Sequence, residues 1–471
     1  MLKEQCAVVG IVSKDRSKHL SKLIYNSLLA LQHRGQESAG IASYDGSSIK
    51  LHKNSGLVAS VFDNQSLQKL FGNVAMGHVR YSTTGDPRLE NIQPFVVECP
   101  GRVIAIGHNG NLVNYKELKD TLESKGHVFV SDTDSEVIAH ILASELMNSR
   151  DIDSALVHVM SKLEGAYSIV MLTSKGELIA VRDPFGFRPL CLGTINDDMT
   201  IIASESVAID VNGGTLQREV APGEVLIIDE KGMRSDNNFS DNKKAHCMFE
   251  YVYFSRVDSI LDTKSAYRVR YELGRQLALH DTVDADIVVP VPDSAKPAAA
   301  GYSEVSGLKN VEGLIKNRYV GRTFIMPYQK ERDSSIRLKL NAIIPEIRDM
   351  RIVLIDDSIV RGTTSKRIVD LLKSSGAKEV HFRVTCPPII GQCFYGIDIR
   401  SCEDLIAHQK TVEQIRDSIH ADTLMYQTIE GLVTAIGCKK EDLCLGCLTL
   451  QYPTNKAQEL SDLKKCWYGK S

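Results

Sequence analysis

The sequence predicts two joined bodies: a strand-rich α+β half ending near residue 235, and an α/β half from about residue 248 with a parallel sheet. Three observations carry this. Short runs rich in β-branched residues, such as Ala7–Ser13, 103–107 and 167–172, punctuate the first half and are bounded by turn formers. Between them, 21–32 and 135–148 carry the apolar spacing of helices, with 133–136 set as a capping box before the second. In the second half, the apolar runs 286–289 and 351–355 each lead into a polar loop and a helical pattern, and 378–385 reads as the next strand. The helix after 351–355 is expected over 364–375, with Gly376 as its stop. The polar, aperiodic stretch 231–244 is the expected linker or a long surface connection.

At 471 residues the chain is long enough for two or three domains with full cores. A net charge of -3 gives no footprint for nucleic acid or a membrane surface. The start, Met1-Leu2-Lys3-Glu4-Gln5, lacks a secretory pattern, and no uncharged apolar run approaches the ~18 residues of a membrane span. A cytoplasmic protein is expected. Eleven cysteines, an odd number, do not suggest a secreted disulfide framework; in a reducing compartment they are buried, catalytic or metal-bound.

The string Val353-Leu354-Ile355-Asp356-Asp357-Ser358-Ile359-Val360-Arg361-Gly362-Thr363-Thr364-Ser365 is the most informative stretch. A buried strand ends in two adjacent carboxylates, then a turn rich in Gly and hydroxyls opens a helix. Backbone N–H groups at such a turn cradle a phosphate, and the acids suit ribose hydroxyls or a magnesium ion. A bare Asp-Asp is ordinarily a solvated surface pair; the full order of residues is what marks a site. The string resembles the phosphoribosyl pyrophosphate motif of type I phosphoribosyltransferases. The resemblance implies that Asp356, Asp357, Arg361, Gly362, Thr363 and Thr364 bind that substrate. Val291-Pro292-Asp293-Ser294-Ala295 is similar to the family's pyrophosphate loop, which adds Ser294, and with Asp356 and Asp357 it is implied to hold Mg2+. The segment 316–325, containing Arg322, resembles the loop that closes over the substrate; without the neighbouring motif it would read as a basic surface loop.

Cys6 stands immediately before the strand Ala7–Ser13, where a lone Cys is ordinarily a core residue. Its companions alter that reading. Gln32-His33-Arg34-Gly35-Gln36-Glu37-Ser38, Gly77-His78-Val79-Arg80-Tyr81-Ser82-Thr83, Gly107-His108-Asn109-Gly110-Asn111 and Ser131-Asp132-Thr133-Asp134-Ser135-Glu136 follow in that order. Together they resemble the class II glutamine amidotransferases, whose glutaminase domain is an αββα N-terminal-nucleophile fold. A thiol needs a base to attack an amide, and no His is obviously committed to it; a free α-amine, with pKa ~7.7–8.0, serves if Cys6 begins the mature chain. A propeptide of residues 1–5 and a glutaminase domain over 6–235 are therefore expected. The resemblance implies that Asn109 and Gly110 form the oxyanion hole, Arg80 pairs with the glutamine carboxylate, and Asp134 binds its ammonium. Ala7 departs from the family, which often has Gly there.

Cys444-Leu445-Gly446-Cys447 has metal-ligand spacing, open by itself to a metal, a redox pair or chance. No second close pair exists, so a four-Cys zinc ribbon is not indicated. The contexts of Cys247 and Cys393 resemble those amidophosphoribosyltransferases that carry a [4Fe–4S] cluster, which implies Cys247, Cys393, Cys444 and Cys447 as ligands. Cys402 and Cys438 are the rivals, and Cys99, Cys191, Cys386 and Cys466 read as packing residues.

The two halves in one chain, with a phosphoribosyltransferase domain over 248–471 including its cysteine-bearing tail, resemble the amidophosphoribosyltransferase family throughout. The resemblance implies conversion of glutamine, phosphoribosyl pyrophosphate and water to 5-phosphoribosylamine, glutamate and pyrophosphate, the first committed step of purine synthesis. It also implies purine-nucleotide feedback and a homotetramer. The rival readings are a regulatory protein that senses phosphoribosyl pyrophosphate without turnover, and a bare glutaminase whose second domain has decayed.

Overall fold

The computed structural model describes residues 6–81, 88–99, 101–149, 151–237, 239, 243–317, 340–399 and 401–463. The first half is two antiparallel sheets stacked face to face. One has seven strands, in the spatial order Thr215–Glu219, Cys191–Ile195, Met199–Ala203, Ala7–Ser13, Val74–Arg80, Ser38–Tyr44, Ile49–Ser55. The other has six, in the order Gly232–Asp236, Val225–Asp229, Leu178–Arg182, Gly165–Thr173, Arg102–Leu112, Phe95–Cys99.

Alternation along the strands decides which side chains meet. In the first strand Val8 points inward, joining Met76, Ala105, Val170 and Leu226 between the sheets. Ala7, Val9 and Ile11 point outward and pack with Ile24 and Leu28 of helix Ser21–Ala30. The second sheet buries Ile104, Ile106, Tyr167 and Ile169 against helices Asp134–Ser149 and Ile152–Lys162. The layers are therefore αββα, as expected. The Ala7 methyl is fully buried in the outward cluster, so the departure from Gly is absorbed by packing.

The second half is a five-stranded sheet in the order Lys309–Asn310, Ile287–Pro290, Arg351–Asp356, Glu379–Val384, Thr423–Tyr426, every pairing parallel. Its strands are buried on both faces, which explains their continuous apolar runs. Ile352 and Leu354 face one cluster, with Ile368, Val369 and Leu372 of helix Thr363–Ser374. Val353 and Ile355 face the other, with Leu277, Ala298 and Tyr302 from the helices Ala266–Leu279 and Lys296–Ser306.

Two local expectations are corrected. Residues 232–236, within the stretch expected as a linker or surface connection, form an edge strand that pairs back onto Val225–Asp229 as a hairpin. The 133–136 capping box is not made: the Glu136 carboxylate accepts the N–H groups of Val130 and Ser131, at 2.9 and 2.7 Å, rather than that of Thr133.

The halves are joined by buried charge. Glu250, at the start of the second half, takes Arg34 at 2.6 Å and Arg188 at 3.3 Å, both fully buried. Arg34 also pairs with Glu205, which accepts the Arg256 N–H at 3.0 Å. The C-terminal segment returns to the first half: Tyr452 and Ala457 pack with Ala166 and Phe187. Among the described residues no helix is long and apolar enough to cross a membrane.

Candidate active sites

Cys6 lies at the mouth of the sandwich and is 8% exposed. Its thiol meets the Tyr81 carbonyl at 3.5 Å. Burial pushes the thiol up to about 11; the Tyr81 contact and the Arg80 charge oppose this, and the Asp134 and Glu37 charges reinforce it. None of these neighbours is an imidazole. His78, one strand across from Val8, is pushed down to about 3 by burial and meets the His108 carbonyl at 3.1 Å.

The strand Arg102–Leu112 outruns its neighbour Phe95–Cys99, whose pairing reaches only Ile106. On its other side, Gly110 stands opposite Tyr167, whose N–H and carbonyl both turn away to Asp183. By the alternation of an antiparallel ladder, the N–H groups of residues 108, 110 and 112 all face the open edge. His108 N–H donates to Gln93 Oε1 at 2.6 Å, and Leu112 N–H to Asp134 Oδ2 at 2.9 Å. The Gly110 N–H lies between them on the same edge. A side chain at 110 would strike the Ala166 carbonyl at 2.0 Å, so only Gly fits.

The side chain of Asn109 shares a face with position 107, which looks across to Val8 and His78. Its Nδ2 is buried with no hydrogen-bond partner. A buried amide donor left unsatisfied is costly in a resting protein and suits a group that waits for a ligand. Asp134 touches the residues that flank this pair, bonded to Leu112 N–H at one end and 3.6 Å from His108 Nδ1 at the other. Burial raises its pKa, but His108 and the backbone amides of Leu112 and Ser135 outweigh that and hold it below the usual range. Asp134 and Arg80 are 6% and 3% exposed, which fits charges kept for a zwitterionic ligand better than a surface ion pair. Cys6, Arg80, Asn109, Gly110 and Asp134 are thus brought to one end of the sandwich. Sequence reasoning missed Gln93, which also donates to Ser135 Oγ at 3.0 Å and so ties the edge to the Asp134 helix.

In the second half, Asp356 ends its strand and Asp357 opens the turn, both less than a tenth exposed. Ser294 Oγ donates to Asp357 Oδ2 at 2.7 Å, and Ser358 Oγ to Asp357 Oδ1 at 2.6 Å. The three expected magnesium ligands are therefore contiguous. Burial pushes both acids up; the charge of Asp357 pushes Asp356 further, while the two serine hydroxyls draw Asp357 back. Two crowded, buried carboxylates with a hydroxyl alongside have the oxygen-donor chemistry of a hard divalent cation. Gly362, at φ +74°, turns the chain into the helix Thr363–Ser374, whose first N–H groups open toward the turn. Arg361 is exposed and pairs with Asp404 at 2.7 Å. Arg322 and residues 318–325 of the expected closing loop lie outside the described residues, as do 1–5. Lys316, at the start of that loop, reaches Asp293 at 3.7 Å.

The four expected cluster cysteines are neighbours. Cys247 and Cys444 are paired partners in a two-strand parallel bridge. Cys447 is pushed up by burial first, and then by the charges of Cys393, Cys444, Cys247 and Cys386. All four are free thiols. Among the described residues no three His, Cys, Asp or Glu side chains close on one metal ion. Four thiols in one neighbourhood supply the ligand number of an iron–sulfur cluster, in which each binds a separate iron. Cys402 is held in a disulfide and is no rival. Cys438 answers to Lys264, Asp442 and Asp262 rather than to the four. Cys386, expected as packing, is a buried fifth neighbour; Cys99 and Cys191 are buried as expected, and Cys466 lies outside the described residues.

Residues 78–211 match the glutamine amidotransferase domain family, and 257–422 the phosphoribosyl transferase domain family. The amidophosphoribosyltransferase of Methanothermobacter thermautotrophicus is 49% identical, over 98% of this chain and 97% of its own. That of Bacillus subtilis is 44% identical, over 97% and 96%. The chain belongs to the amidophosphoribosyltransferase family. Membership makes it a pentosyltransferase, one that uses glutamine to aminate phosphoribosyl pyrophosphate in purine biosynthesis. A solved structure of the B. subtilis glutamine phosphoribosylpyrophosphate amidotransferase, complexed with ADP and GMP, superimposes with a TM-score of 0.88 over 96% of this chain and 98% of that one. A second, described as the allosteric regulatory enzyme of purine biosynthesis, gives 0.89 over 98% and 99%.

Proposed function

We propose that 6–235 is the glutaminase unit and 248–471 the transferase unit, and that the two sites act in sequence with the following residue roles. Removal of 1–5 leaves Cys6 with a free α-amine. The amine takes the thiol proton, and the thiolate attacks the glutamine side-chain carbonyl. The carbonyl oxygen gathers negative charge, which Asn109 Nδ2 and the Gly110 N–H receive. The α-ammonium returns the proton to the departing nitrogen, which leaves as ammonia, and water then hydrolyses the thioester to glutamate. Arg80 holds the substrate carboxylate in a two-pronged pair, and Asp134 holds its ammonium. The orphaned, buried Asn109 donor beside the open Gly110 edge is the observation that carries this reading.

Ammonia then attacks C1 of the ribose, and the C1–oxygen bond breaks to release pyrophosphate. The 358–364 turn with Thr363 and Thr364 cradles the 5-phosphate, Arg361 and Arg322 supply cationic charge, and Asp356 and Asp357 face the ribose. Asp356, Asp357 and Ser294 would hold Mg2+, which when bound supplies positive charge to the leaving pyrophosphate. Cys247, Cys393, Cys444 and Cys447 would hold a [4Fe–4S] cluster with a structural role, since the transfer moves no electron. Purine nucleotides as feedback ligands, a homotetramer and a cytoplasmic location complete the proposal. ADP and GMP bound to the Bacillus subtilis relative support the first of these.

The roles are tested by a double dissociation. Cys6→Ser should abolish pyrophosphate release with glutamine and leave it intact with ammonium salts. Asp356→Asn should remove both. Glutamine-dependent turnover by Cys6→Ser would refute the nucleophile, and ammonia-dependent turnover by Asp356→Asn would refute the ribose site.

A further inference from the structure

We propose that the turn 393–396 of the C-terminal half is a positioning element for the glutaminase oxyanion hole, acting through Asn111 and Gly110. This rests on the reading of Asn109 and Gly110 as the oxyanion donors.

The donors sit on a strand end with only one side in a ladder. Among the described residues the strand Arg102–Leu112 pairs beyond Ile106 with Gly165–Thr173 alone, and on its other edge only side chains, Gln93 and Asp134, take the N–H groups of His108 and Leu112. An edge of this kind frays unless something fixes it, and oxyanion donors act only when held to within about half an ångström of the productive geometry. The 393–396 turn reaches the strand at this point. Asn111 Nδ2 donates to the Phe394 carbonyl at 2.8 Å, one residue beyond the Gly110 donor. Gly396, at φ +102°, lies against Gly110 itself: a Cβ at 396 would stand 3.2 Å from both the carbonyl carbon and oxygen of Gly110.

The turn is itself rigidly held. Arg188, fully buried and paired with Glu250, donates to the Tyr395 carbonyl at 2.5 Å. The Tyr395 ring stacks on Phe187 with centroids 4.1 Å apart and planes at 19°, and its hydroxyl meets Thr454 Oγ1 at 3.1 Å. The Tyr395 N–H donates to Cys393 Sγ at 3.3 Å. A rigid turn from one half therefore packs on the strand end that carries the donors of the other. The charged joint reaches the turn through Arg188, whereas Asn111 and Gly396 join the turn to the donor strand itself.

The test uses the full-length enzyme with Asn111→Ala and Gly396→Ala, and Asn109→Ala as reference. A misplaced donor weakens the transition state more than the ground state, so glutamine-dependent kcat should fall by about tenfold or more while the glutamine KM stays within about twofold. Ammonia-dependent synthesis by Asn111→Ala and Gly396→Ala should stay at the parent level, which also shows that both variants fold. Parental glutamine kcat in both, a rise in KM alone, or a parallel loss of ammonia-dependent synthesis would overturn the inference. If Asn109→Ala loses glutamine kcat while the other two keep it, the positioning role fails and the donor assignment survives. If Asn109→Ala keeps its kcat, the donor assignment fails and the positioning role falls with it.

Discussion

At the scale of single residues, Asn109 is the sharpest prediction. It offers a preorganised, buried donor with no partner in the resting protein. Asn109→Ala should cut glutamine-dependent kcat by about 10²–10³ with little change in KM, the usual cost of one oxyanion donor. A steady-state comparison of kcat and KM checks it. Cys6 makes a second prediction. In the uncut chain burial holds its thiol up at about 11, protonated at neutral pH. The intact mass of active enzyme should correspond to a chain starting at Cys6, and a mass that retains 1–5 in fully active protein would contradict this. Both residues were legible in the sequence because their neighbours in the chain form recognisable strings. The Gly110 edge was not: it depends on Phe95–Cys99 stopping short, a fact about a different strand. Nor was Gln93, whose role depends on which backbone amide it meets.

At the scale of elements, the strand–turn–helix across 351–374 was almost wholly legible, because a strand, two acids, a Gly-rich turn and a helix lie consecutively in the chain. The edge strand Gly232–Asp236 was hidden. Its residues are mostly exposed and polar, so no apolar alternation marks it, and its backbone is satisfied by the partner Val225–Asp229. The joint between halves was hidden too, since buried charges acquire meaning only from partners far along the chain. Glu250→Ala would leave Arg188 buried without a carboxylate and Arg34 with Glu205 alone, and loss of one partner of a buried pair costs about 3–5 kcal/mol. Denaturant unfolding of the variant checks this.

Glu219, at the end of strand Thr215–Glu219, carries a pH prediction. Burial, and then the Asp262 charge, push its carboxyl far above the usual range, and its Oε2 has no partner. The folded protein therefore holds a proton that the unfolded chain releases near pH ~4.5. The folded state binds more protons between the two pKa values, so stability falls as pH rises through that window. Glu219→Gln should raise Tm at pH 8 and change it little at pH 4.5; equal shifts at both would contradict the sign.

At the scale of the whole molecule, the pairing of an αββα glutaminase body with a parallel-sheet transferase body was readable from the order of motifs. The return of the C-terminal segment to the first half was not, because Tyr452 and Ala457 give no sign in the sequence of packing on Ala166 and Phe187. The cysteine neighbourhood spans that return, with Cys247 bridged to Cys444. Anaerobically purified protein should contain about four irons per chain with visible absorbance. Cys444→Ser should lose both. Zinc without iron would remove the cluster from the scheme.

The most direct test of one chain passing nitrogen from Cys6 to the 356–364 turn is to supply amide-15N glutamine together with unlabelled ammonium, held below the level at which ammonium alone supports synthesis, and read the isotope in trapped 5-phosphoribosylamine. The expected result is product labelled from glutamine, with one glutamate formed per pyrophosphate. Product carrying the isotope ratio of the bulk ammonium, or glutamate released without matching pyrophosphate, would contradict it.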